Sequence, residues 1–195
     1  MRHKLKASIV PGLLIVVGYM TAFFLVALVI TPLQSLFLPH ITTFAGLVFL
    51  PHGVRVLATW LYREKALVPL LVAHLLMYRL FYWVGEDTAS NMVAVLSGSF
   101  CAFIALQIFN FTRIDLTLNN LSISHWRSLI FFGFIASIFN ALGNMLALGG
   151  AIASELHIGL MVTFIIGDTL GTAACLVLLM LAMRFYRFVP KRGEH

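Results

Sequence analysis

Charge is what this sequence has least of. Only 10% of its 195 residues are Asp, Glu, Lys or Arg, against 61% hydrophobic, whereas a soluble domain carries about 25% charged residues. Too little polar surface remains to cover a globule in water, so lipid is the expected solvent for most of the chain. Cysteine is also scarce. Cys101 and Cys175 both lie in apolar runs and read as small buried hydrophobes, with no CxxC pair and no secreted-type disulfide framework. Enzyme signatures are missing: there is no P-loop, HExxH, GxSxG or GxGxxG in a strand–helix setting. Ser97-Gly98-Ser99 has no His and Asp partners at triad-like spacing and reads as a packing patch of small residues. A non-enzyme without a cofactor is expected.

Long apolar runs are abundant. Six follow one another, at about 9–31, 42–62, 66–84, 91–111, 127–149 and 157–184. Each approaches the ~20 residues that an α-helix needs to cross a ~30 Å hydrocarbon core. A closed barrel would need alternating strands of ~10 residues, which are absent. The expected fold is therefore all-α: a polytopic bundle of six transmembrane helices forming one transmembrane domain over 1–195, with no soluble domain attached. The start, Met1-Arg2-His3-Lys4-Leu5-Lys6, resembles the charged part of a signal peptide. The apolar stretch behind it runs from Ile9 to about Ile30, longer than the ~7–15 residues of a signal core, and is read as a retained first helix.

The net charge of +6 does not point to nucleic acid, because the basic residues gather at helix ends. Arg2, Lys4 and Lys6 precede the first helix, and Arg63 and Lys65 join the second and third. Arg113 and Arg127 flank the fourth connection, and Arg184, Arg187, Lys191 and Arg192 follow the sixth helix. Of 13 basic residues only Arg55 and Arg79 lie elsewhere. The opposite connections carry Glu86, Asp87 and Glu155 instead. This alternation predicts an even number of helices with both ends in the cytoplasm, and the expected location is a bacterial inner membrane. Trp60, Tyr62, Tyr82, Trp83, Trp126 and Tyr186 fall at run ends, as a headgroup belt would place them. The longest connection, about 112–124, alternates weakly through Ile114, Leu116, Leu118, Leu121 and Ile123. It reads as a strand-like or interfacial segment.

Polar residues inside the runs are informative, since a charge at mid-bilayer costs at least ~2.5–3.5 kcal/mol. In the second run Pro51 and Gly53 predict a kinked or briefly unwound helix, with His52 and Arg55 on one face. In the sixth run Gly167 and Gly171 form a GxxxG that admits a neighbouring backbone. Asp168 lies between them near mid-depth and needs a partner, Arg55 first and His52 or His74 next. Asn140 and Asn144, one turn apart on the fifth run, offer interhelical hydrogen bonds, with Gln107 and Asn110 a weaker set. His74 sits in mid-helix. His52, His74 and Asp168 have acceptable metal-ligand types, but no spacing supports a metal site. Arg79 is expected to reach the outer surface or pair with Glu86 or Asp87.

Several of these residues also carry a resemblance. Gly46-Leu47-Val48-Phe49-Leu50-Pro51-His52-Gly53-Val54-Arg55 through Trp60 leads into the basic turn Arg63-Glu64-Lys65 and then Ala66-Leu67-Val68-Pro69-Leu70, while Gly167, Asp168 and Gly171 form Gly-Asp-x-x-Gly in the last run. Over roughly 42–184 the chain resembles the first class of bacterial membrane-associated sensor (MASE-type) domains. Members usually have further helices and precede a kinase, cyclase-like or phosphodiesterase domain. His52 also stands where a small residue or proline is typical. The resemblance implies a sensor-like fold, with signalling through a separate partner at the cytoplasmic face.

The first functional expectation is thus a membrane sensor or ligand-binding module. Its cavity would be lined by His52, Arg55, His74, Asn140, Asn144 and Asp168, and Arg55 would suit a small anionic ligand. A second expectation is the substrate-binding membrane subunit of a vitamin-type importer, which would dock an ATPase. A third is a scaffold whose polar residues only hold helices together.

Overall fold

An α-helix satisfies its backbone hydrogen bonds within one segment, as a hydrocarbon surrounding would require. The computed structural model describes residues 2–37, 46–81, 88–114, 116, 125–148 and 157–188, and every regular element among them is helical. In chain order these are α1 (Arg2–Leu25), a π-helical turn (Val26–Ile30), α2 (Thr31–Phe37), α3 (Leu50–Tyr62), a 3-10 turn (Arg63–Ala66), α4 (Leu67–Phe81), α5 (Thr88–Phe111), α6 (His125–Leu148) and α7 (His157–Phe188). Four stretches are long and apolar enough to cross a membrane: Ile9–Phe37, Ala89–Phe111, Trp126–Ala147 and His157–Phe185.

The first rod continues six residues beyond its expected end. Pro32 lacks an N–H and its ring would strike the carbonyl of the preceding turn. The π-helical turn absorbs this: Thr31 N–H bonds back to Val26 O, and the helix resumes through Phe37.

The second run departs most from expectation. It is not one kinked helix over 42–62. Residues 46–49 are non-helical and α3 begins only at Leu50. Pro51 sits in the first turn, where its missing N–H would have no intrahelical partner in any case, so it starts the helix instead of bending it. α3 has 13 residues and α4 has 15, both short of a full helical span. Residues 42–45 and 82–84 lie outside the described residues. So do Tyr82, Trp83, Glu86, Asp87 and Glu155, most of the 112–124 connection, and the chain after Phe188.

Short as it is, α3 forms the centre. It packs against α1, α5, α6 and α7, while α4 packs on α1 and α5. Pro51, His52, Gly53, Arg55, Val56, Ala58, Thr59 and Trp60 are buried. One apolar cluster joins Val56 and Trp60 to Cys101, Ala105, Leu106 and Phe132, and another joins Ala58 to Ile15, Leu70 and Met77. Large side chains such as Leu28, Leu36, Phe37, Leu146 and Ile158 remain outside. Ionic groups within and leucines without are compatible with a multi-pass membrane protein.

Trp60 departs from its expected place in a headgroup belt. It is only 7% exposed, and its Nε1–H donates to Leu116 O at 2.7 Å. It ties the segment after α5 to the core, and Leu116 is buried with it. Trp126 is exposed, with the Arg127 guanidinium 5.6 Å from its ring centroid. α5 ends with Arg113 at φ 56°. Arg113 N–H bonds Asn110 O at 3.2 Å and Ile114 N–H bonds Phe109 O at 3.0 Å, a Schellman closure with arginine in glycine's usual place.

Candidate functional site

Two glycines decide where the polar site forms. A Cβ on Gly167 would collide with the carbonyl oxygen of Gly46, and one on Gly171 with that of Phe49. Only glycine lets the non-helical segment 46–49 lie directly on α7. Its backbone groups find partners there. Phe49 N–H donates to Gly167 O at 2.9 Å, and His52 N–H donates to Phe49 O at 3.1 Å. Leu47 N–H donates to Gln34 Oε1 on α2 at 2.7 Å. The buried start of α3 is thereby held beside Asp168. Gly53 is similarly constrained: a Cβ there would stand 2.6 Å from Cys175 Sγ and 2.7 Å from Gly171 O.

A hydrogen-bonded cluster crosses the bundle from this point. His52 is fully buried, Arg55 is 3% exposed and Asp168 is 1% exposed. His52 Nδ1 lies 3.2 Å from Asp168 Oδ2 and 3.3 Å from Arg55 Nη1. Its Nε2 lies 3.1 Å from Gly133 O on α6. Asp168 Oδ2 also accepts from Asn140 Nδ2 at 2.6 Å, and Asn140 Oδ1 accepts from Asn144 Nδ2 at 3.2 Å. On the other side Arg55 Nη2 donates to Tyr19 Oη at 3.3 Å. Tyr19 Oη is 3.0 Å from His74 Nε2, and His74 Nδ1 is 2.8 Å from Leu70 O. A carbonyl only accepts, so Nδ1 of His74 carries its proton and Tyr19 donates to Nε2. The chain runs from α4 through α1 and α3 to α7 and α6.

His52, Arg55, His74, Asn140 and Asp168 are thus brought together, with half-buried Asn144 attached through Asn140. The expected direct pairing of Asp168 with Arg55 is replaced by a bridged one, since His52 stands between them. Gln107 and Asn110 are exposed and belong to another part of the surface. Glu86 and Asp87, the expected partners of Arg79, lie outside the described residues. Among the described residues, no group of three or more His, Cys, Asp or Glu side chains could hold a metal ion.

Arg55 is the least satisfied member. Its Nη1 also approaches Cys101 Sγ at 3.9 Å, and its guanidinium carbon lies 5.7 Å and 5.5 Å from the ring centroids of Tyr19 and Phe49. Its Nε is buried with no hydrogen-bond partner. A buried donor without an acceptor costs about 1–3 kcal/mol, more when it is charged.

No protein-family model, curated protein or solved structure matches the chain.

Tyr19 and Gln34 escaped the sequence reading. Both lie in the first apolar rod, among few other polar residues, and their polarity there was the available signal. Gly98 and Gly133 also contribute through what they lack. A Cβ on Gly98 would stand 2.6 Å from His74 Nε2, and one on Gly133 2.8 Å from Thr172 Cγ2.

Proposed function

We propose that the chain is a sensor-like, ligand-binding membrane module that acts through a separate protein partner, and that its ligand is a small anion taken up at Arg55. The observation that carries this reading is the orphaned Nε of Arg55 in the packed centre of the bundle. A guanidinium offers five donors and suits carboxylate or phosphate oxygens. Here one buried donor has no hydrogen-bond partner, and Asp168 is reached only through His52. A buried cation so incompletely answered marks a place for a ligand anion. The resemblance to MASE-type sensors points the same way.

The reading includes six crossings, both ends in the cytoplasm, and a bacterial inner membrane. The four-residue segment 46–49 at about 3.3 Å per residue, followed by 13 helical residues in α3 at about 1.5 Å each, reaches about 33 Å. The 15 residues of α4 reach about 22 Å, and the apolar run continues beyond them to about Val84. With its lead-in α3 therefore matches the ~30 Å core, and α4 covers most of it. The placement of Arg63 and Lys65 supports a cytoplasmic turn between them.

The test is thermal unfolding of the detergent-purified protein against small carboxylates, phosphate and sulfate. At least one anion is expected to raise the midpoint saturably in wild type and to do nothing for Arg55→Gln. Equal stabilisation of both proteins, or of neither, overturns the reading and leaves a scaffold.

A further inference from the structure

The geometry points to a proton-binding site on the axis between His52 Nδ1 and Asp168 Oδ2, occupied by one shared proton that clamps the start of α3 to α7. Gly133 O can only accept, so His52 Nε2, 3.1 Å away, carries a hydrogen. Nδ1 then faces Asp168 Oδ2 at 3.2 Å. Without a further proton these are two buried acceptors 3.2 Å apart, which repel. One proton between them makes either an imidazolium–carboxylate pair or a neutral imidazole with a carboxylic acid. Asn144 fixes its neighbour's amide: its Nδ2 donates to Asn140 Oδ1 at 3.2 Å, so Asn140 Nδ2 is turned to Asp168 at 2.6 Å. Oδ2 therefore already has one donor and is held 3.2 Å from Nδ1.

Arg55 makes the site two-state. With the proton bound, Arg55, His52 and Asp168 together carry one positive charge. Release sends that proton to water and leaves the trio neutral. The bare Nδ1 then accepts from Arg55 Nη1, already 3.3 Å away. The Asp168 carboxylate is repelled from the ring and attracted to Arg55, whose Nε lacks a partner. Asp168 follows Gly167, which accepts from Phe49 N–H, and His52 donates back to Phe49 O. Loss of the proton thus loosens the grip of α7 on the segment before α3.

The other titratable groups around the trio are Tyr19 on α1, His74 on α4, Cys101 on α5 and Cys175 on α7, while α6 faces it with Gly133 O and the Asn140 amide. Tyr19 and Cys101 contact Arg55, His74 contacts Tyr19, and Cys175 packs at Gly53. None lies between Nδ1 and Oδ2. The proton site rests on His52 Nδ1 and Asp168 Oδ2 and not on the Nε of Arg55, so the loss of anion binding and the loss of this site are separate outcomes.

The experiment is nitrogen NMR of the full chain in lipid nanodiscs, labelled at histidine, across a pH series, with His52→Gln identifying the His52 signals. Nε2 is expected to stay protonated, while Nδ1 passes in one step from a shared proton to a bare nitrogen as pH rises. In Asp168→Asn the amide oxygen takes the place of Oδ2, because Asn140 Nδ2 donates there, and without the carboxylate charge the step is expected to leave its wild-type position and move to lower pH. Should His52→Gln not fold, infrared difference spectra of wild type and Asp168→Asn between acid and base give the second readout, and a carboxyl band lost in the variant is expected. A bare Nδ1 at every pH, or a step unchanged in Asp168→Asn, overturns the proposal. Identical infrared spectra for the two proteins do the same.

Discussion

Phe49 N–H donates to Gly167 O at 2.9 Å, a backbone bond between a non-helical residue and the middle of a long helix. It exists because α7 presents two glycines one turn apart. Gly167→Ala and Gly171→Ala each place a methyl against a backbone carbonyl that side-chain repacking cannot move. Each is expected to destabilise by ~1–3 kcal/mol, the range for overpacking. Gly159→Ala, on the same helix with nothing within 4 Å, is expected to hold or gain stability. Thermal midpoints of the three variants in one detergent check this.

The hydroxyl of Tyr19 serves two partners, accepting from Arg55 Nη2 and donating to His74 Nε2. Tyr19→Phe keeps the ring and strands both. A loss of ~1–3 kcal/mol is expected, the cost of leaving buried polar groups unsatisfied. Chemical unfolding in detergent checks the size. A loss within ~0.5 kcal/mol, typical of surface substitutions, would mean the link to α4 is slack.

Gln34→Leu removes the acceptor for Leu47 N–H, which it holds at 2.7 Å. The expected cost is again ~1–3 kcal/mol, concentrated on segment 46–49. Hydrogen exchange should therefore rise at Leu47 and Phe49 and stay unchanged in the middle of α5.

Trp60→Phe keeps an aromatic ring in the core but removes the donor to Leu116 O. Stability is expected to fall by about 0.5–1.5 kcal/mol, the usual worth of one hydrogen bond. Trypsin should also cleave faster at exposed Arg113, three residues before the tie point.

Much of this arrangement could be read from residue order. The apolar runs locate the helices because a lipid-facing rod must be apolar around most of its girth. His52, Arg55 and Asp168 stand out because their burial demands compensation. The path of the second run was not legible. Pro51 is equally consistent with a kink inside a helix and with its first turn. The choice depends on whether Gly167 and Gly171 accept the chain before it, a contact some 120 residues away in sequence. The bridging role of His52 was hidden for the same reason: sequence places it beside Arg55 but does not reveal which nitrogen meets Asp168. Tyr19 gave no spacing signal, because its partners come from two other helices. Trp60 lies at a run end like an interfacial anchor, and only tertiary packing turns it inward.

The central claim is that ionic side chains meet inside a membrane-embedded bundle where α3 starts against α7. The most direct measurement is cysteine accessibility in intact membranes. Single cysteines would be placed at Gly46, Val48 and Thr169, and at Arg63 and Lys65, in a Cys101→Ala, Cys175→Ala background. They would be probed with a membrane-impermeant maleimide added from each side. The account predicts that the first three resist labelling until the protein is unfolded, and that Arg63→Cys and Lys65→Cys label from one side only. Ready labelling of Val48→Cys or Thr169→Cys in the folded protein would place the cluster in water and contradict it.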